Sequence, residues 1–77
     1  MKINLQLYSI LREKLPASAK GRAVMHFDEG AMLADLLSEL DIQRKVVISV
    51  NDILEINKAY PLQDGDKVRI FSSISGG

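Results

Sequence analysis

The sequence predicts an α+β domain in which a small mixed sheet of four to five strands curls around one helix. Three observations carry that expectation. Two segments of alternating apolar and polar residues come first, a single leucine stripe at helical spacing follows, and further alternating segments run almost to the end of the chain. With 77 residues there is room for one domain. A chain of this size buries only about 60% of its extended surface, so stability has to rest on one small core.

Lys2 to Tyr8 sets Ile3, Leu5 and Leu7 on one face and Lys2, Asn4 and Gln6 on the other, the period of a half-buried strand. Ile10, Leu11 and Leu15 then fall at helical spacing around Arg12, Glu13 and Lys14, and Pro16 stops the pattern, so one or two helical turns are expected. Residues 17–21 are small and polar and read as the loop to a second strand, where Ala23, Met25 and Phe27 alternate with Val24, His26 and Asp28. Asp28-Glu29-Gly30 supplies a turn. Leu33, Leu36, Leu37 and Leu40 sit at i, i+3, i+4 and i+7, with Asp35, Ser38, Glu39 and Asp41 on the other side. Burying each leucine is worth about 1.5 to 3 kcal/mol before entropy, so this helix is expected to close the core. Val46, Ile48 and Val50 make a third strand, Asn51-Asp52 a turn, and Ile53, Leu54 and Ile56 a short return strand. In Gln63-Asp64-Gly65-Asp66 the glycine can take the positive φ of a tight reversal. The last strand turns Val68 and Ile70 inward and leaves Lys67, Arg69 and Phe71 outside.

Composition removes several function classes. Ten basic and ten acidic residues give zero net charge, which argues against nonspecific nucleic-acid binding and against a polybasic membrane contact. The absence of cysteine excludes disulfides, iron-sulfur ligation, the usual structural zinc and a thiol nucleophile. Residues 1–15 interrupt their apolar positions with Asn4, Gln6, Arg12, Glu13 and Lys14, unlike a signal peptide or a membrane span, so a cytoplasmic location is expected. His26 has no second ligand at metal spacing and reads as a surface residue. The Asp28/Glu29 and Asp64/Asp66 pairs are explained by turns, and Gly65 is not part of a phosphate loop. No metal site and no bound cofactor are expected.

What stands out is the end, Ser72-Ser73-Ile74-Ser75-Gly76-Gly77. The expected division is a folded domain over 1–71 and a flexible diglycine tail over 72–77. Two terminal glycines have no Cβ and can thread a channel too narrow for side chains. A terminal carboxylate with a reference pKa of about 3.3 to 3.7 is ionised at neutral pH and can attack an activated phosphorus, but it must be activated before it can transfer anything.

The order of several short segments resembles the MoaD/ThiS sulfur carriers, which are ubiquitin-like β-grasp proteins. The segments are Leu7-Tyr8 with Leu11-Arg12-Glu13, Asp28-Glu29-Gly30-Ala31 before Leu33-Ala34-Asp35-Leu36-Leu37, Val50-Asn51, Leu62 to Val68, and Ile74-Ser75-Gly76-Gly77. The early Leu-Tyr and Leu-Arg-Glu segments are closer to the small subunit of molybdopterin synthase than to the thiazole carriers. The resemblance implies that an E1-like adenylating enzyme (MoeB-like), using ATP and Mg, adenylates the Gly77 carboxylate, and that a sulfur donor converts it to a thiocarboxylate. The tail then enters the large subunit (MoaE-like), where sulfur goes to cyclic pyranopterin monophosphate in molybdenum cofactor synthesis. Gly77 would carry the sulfur, Gly76 would give clearance, and Ser75 and Ile74 would line the insertion.

Phe71, an outward aromatic beside the tail, is the expected contact anchor, with Tyr8 and Arg12 as further partner-facing candidates. Lys67 and Arg69 either meet acidic groups on a partner or form a solvated basic edge. Other readings of the same pattern are a thiazole-type or other-pathway carrier, a ubiquitin-like modifier joined to a target lysine, and a plain binding domain. Two positions depart from the family. Met32 stands where Thr or Ser usually caps the helix, so a capping oxygen worth about 1 kcal/mol is lost and a frayed or shifted helix start is expected. Ser72-Ser73 replace the usual Pro-Pro, which implies a more mobile docking segment that proline at both positions should tighten.

Overall fold

The computed structural model describes residues 1–55 and 57–73. Strand β1 (Lys2–Leu7) is followed by a 3-10 helix at Ser9–Lys14 and a second at Ala17–Ala19. Then come β2 (Arg22–His26), helix α1 (Leu33–Glu39), β3 (Val46–Val50), β4 (Ile53–Glu55) and β5 (Lys67–Ser72). The five strands form one sheet in the order β2-β1-β5-β3-β4, with β1 and β5 parallel and the other pairs antiparallel. Helix α1 covers one face. This is the ubiquitin-like β-grasp arrangement.

The two central strands supply the deepest part of the core. Leu5 lies opposite Val68 and Leu7 opposite Ile70 in the parallel register, and α1 adds Leu33, Leu36 and Leu37 from above. All are buried, as the alternation and the leucine stripe require. The segment after β1 behaves differently from an α-helical turn. Ser9 enters it with φ 53°, and the tighter 3-10 winding buries Leu11 but leaves Ile10 about half exposed.

Helix α1 is neither frayed nor shifted at its start, contrary to the expectation from Met32. Tyr60 carbonyl accepts from the Leu33 N–H at 3.0 Å, Lys58 carbonyl from the Ala34 N–H at 2.8 Å, and Asp35 Oδ2 from the Met32 N–H at 2.7 Å. The crossing loop therefore takes the first two helical N–H groups, the second of which a capping hydroxyl could otherwise serve, and the Asp35 carboxylate takes the N–H of Met32 itself, the reciprocal half of a capping box.

At the far end of the sheet two turns are joined. Asn51 and Asp52 have φ of 53° and 70°, the doubly left-handed geometry of a two-residue hairpin, and Gly65 has φ 87°. The buried Asp66 accepts from Asn51 Nδ2 at 2.9 Å and from the Gln63 N–H at 2.8 Å, while Asn51 Oδ1 accepts from the Lys67 N–H at 3.0 Å. Residues read simply as turn formers thus also satisfy a carboxylate that burial would otherwise penalise.

Candidate functional site: the root of the C-terminal segment

Because β1 and β5 run in parallel register, the residues that follow Leu7 and Ile70 leave the core together. These are Tyr8 and Phe71. Their rings stack with centroids 4.4 Å apart and planes 14° from parallel, and the Tyr8 N–H donates to the Ile70 carbonyl at 3.2 Å. Each ring covers part of the other, so both are only half buried on the face opposite α1. Val47 lies directly across from Phe71 in the antiparallel register and is exposed, which extends the apolar patch onto β3.

The end of β5 lies beside this patch. Ser72, expected to belong to the tail, pairs with Val46 as the last residue of β5. The Ser73 N–H then donates to the Lys45 carbonyl at 3.2 Å, one step past the named strand. The expected sulfur-bearing residue Gly77 and its companions Gly76, Ser75 and Ile74 lie outside the described residues.

Arg12 is exposed on the 3-10 helix and lines a shallow groove with Tyr8, Gln6, Lys20 and Arg22. The close approach of Gly21 fixes that neighbourhood, since a Cβ there would stand 2.6 Å from the Leu7 carbonyl oxygen and 3.1 Å from Arg12 Cγ. Three of the partner-facing candidates, Tyr8, Phe71 and Arg12, therefore gather at one end of the sheet. Arg69 is held by Asp52, with Nη1 2.8 Å from Oδ1, the arginine side chain partly exposed and the aspartate largely in solvent, a pair worth about 1 kcal/mol or less. His26 is exposed on β2, and among the described residues no group of His, Cys, Asp or Glu is placed to hold a metal ion. No helix among them is long and apolar enough to cross a membrane.

Two contributors escaped the sequence reading. Val47 falls between Val46 and Ile48 of the third strand, but only the pairing of β3 with β5 brings it to Phe71. Lys45 acts through its carbonyl, which leaves no mark in side-chain chemistry.

Relatives of this architecture are known. The chain superposes on a structure described as molybdopterin converting factor subunit 1 from Pyrococcus furiosus with a TM-score of 0.78 and 20% identity, covering 96% of this chain and 99% of that one. SAMP1 from Haloferax volcanii gives a TM-score of 0.75 at 17% identity, with both chains covered in full. A chain from the complex of subunits 1 and 2 of the Helicobacter pylori 26695 molybdopterin-converting factor gives 0.68 at 20% identity, again with both chains covered in full. At these identities the likeness establishes the β-grasp fold. No curated protein sequence matches the chain. The model of the ThiS family, however, matches residues 5–77, and on that ground the chain belongs to the ThiS family, the ThiS/MoaD type of β-grasp sulfur carrier.

Proposed function

We propose that the protein is the small subunit of a molybdopterin synthase, with Gly77 as the sulfur-bearing terminus. The observation that carries this reading is the position of the tail root. β5 ends beside the stacked pair Tyr8–Phe71, the Ser73 N–H bonds to the Lys45 carbonyl just past it, and in the sequence a glycine-ended segment follows. A fixed apolar foothold next to a narrow leash is what insertion into a partner's channel needs.

In this reading an E1-like enzyme uses ATP and Mg, and a Gly77 carboxylate oxygen attacks the α-phosphorus with loss of pyrophosphate. A sulfur donor then displaces AMP from the acyl adenylate and leaves a thiocarboxylate. The large subunit takes the tail, with Phe71, Tyr8 and Arg12 on the contact surface and Ile74, Ser75 and Gly76 in the channel. It supplies the groups that act on cyclic pyranopterin monophosphate.

Intact-mass measurement tests the proposal. After incubation with an activating enzyme, ATP, Mg and a sulfur source, exchange of one oxygen for sulfur at the C-terminal residue is expected. Attachment to a larger protein would instead make the chain a modifier, and an unaltered mass with an enzyme active on a control carrier would refute the assignment.

A further inference from the structure

The uncovered face of the sheet is sorted by charge. Strand registers place Arg22, Gln6 and Arg69 in one row across β2, β1 and β5, and Val24, Asn4 and Lys67 in the next. Lys2 and His26 follow at the end of β1 and β2. Among the described strand residues no aspartate or glutamate faces this side, since Glu55 pairs with Ile48 and so belongs to the helix-covered face. The acids lie instead on the helix layer, on the first 3-10 helix, on β4 and in turns; Asp52 reaches the basic face, where it holds Arg69, and at the end of that face Asp64 Oδ1 accepts from the Lys2 N–H at 2.7 Å. A shallow trough runs between Arg22 on one bank and Lys67 and Arg69 on the other, with the amides of Asn4 and Gln6 in its floor.

We propose that this trough docks an extended acidic segment of a protein partner, with carboxylates at alternate positions. Lys67 and Arg69 are two residues apart on one strand, so they repeat at about 6.6 to 6.8 Å, the same interval at which an extended peptide presents alternate side chains. Arg22 and Arg69 can each take a carboxylate through two N–H donors, a geometry suited to carboxylate oxygens. The floor amides can bond a peptide backbone. A polyphosphate is disfavoured because the ten acidic residues elsewhere cancel the field beyond about 10 Å, leaving too few cations for a long polyanion. The inference does not depend on the chemistry of Gly77.

The test is titration of the ¹⁵N-labelled full chain, not activated, with a glutamate-rich peptide carrying an acid at every second position. Amide shifts should centre on Arg22, Gln6, Lys67 and Arg69 and weaken several-fold between about 0.05 M and about 0.3 M salt. Arg22→Glu combined with Lys67→Glu should lower affinity at least about tenfold. Both side chains are exposed, and the rest of the amide spectrum reports that the variant is folded. Asp52→Asn should instead tighten binding roughly two- to fivefold by releasing Arg69, and Asn tolerates the left-handed backbone there. The proposal is overturned by absent shifts or by shifts centred on α1. It is equally overturned by dilution-dependent shifts without peptide, which would mean that a second copy fills the trough, or by tighter binding of single-stranded DNA of equal charge.

Discussion

Phe71 has a packing role and a proposed docking role that a single substitution can separate. Its ring stacks on Tyr8, which contributes about 0.5 to 1.5 kcal/mol beyond area burial, and its free face is the proposed foothold for the large subunit. Phe71→Ala should therefore lower stability by only about 1 to 2 kcal/mol in urea unfolding, yet weaken capture of the large subunit at least about tenfold in calorimetry. Equal small effects on both would remove Phe71 from the interface. Glycine positions make a second residue-scale comparison. Gly21 has φ 79° and a backbone oxygen 2.6 Å from where a Cβ would sit, whereas Gly65 has φ 87° and open space. Gly65→Ala should cost about 1 to 2 kcal/mol from backbone strain alone, and Gly21→Ala distinctly more, because Leu7 must also move. Similar unfolding midpoints for the two variants would contradict this ordering. The sequence pointed to Phe71 as outward and to Gly65 as a turn former. It was silent on Gly21, whose constraint comes from a strand distant in sequence.

At the scale of elements, the start of α1 is the instructive case. A missing Ser or Thr at Met32 suggested a weak beginning, but propensity arguments see only local donors and acceptors, and here the partners are carbonyls of residues 58 and 60. It follows that Met32→Thr should gain clearly less than the usual 1 kcal/mol or so, while Asp35→Ala should lose about 0.5 to 2 kcal/mol. A full-sized gain for threonine would mean that the loop carbonyls cap poorly. The serine pair before residue 74 tells a similar story. Proline was expected to stiffen this stretch, but Ser73 uses its N–H in a bond to Lys45 that proline cannot make. Ser73→Pro should thus speed amide exchange at Val46 and Ser72 rather than slow it, and slower exchange would restore the simpler entropic argument. Strand positions and the leucine stripe were legible because their periods are set by burial on one face. The 3-10 character of residues 9–14 was not, since Leu11 satisfies either winding.

For the whole molecule, the α+β class followed from the order of periodic segments, but the strand order did not. Alternation states which residues face inward without saying which strand lies beside which. The parallel pairing of β1 with β5 is what turns two unremarkable aromatics into a stack and three scattered cations into one trough. Zero net charge concealed that sorting, because a sum carries no geometry.

β5, the strand that the tail follows in sequence, lies inside the sheet. β5 is flanked by β1 through four register pairs on one side and by β3 through five on the other. A pull on the end of β5 loads both ladders lengthwise, so their bonds must yield together instead of peeling singly. An edge strand would unzip under the same pull. The fold thereby resists a pull on its last strand as a unit.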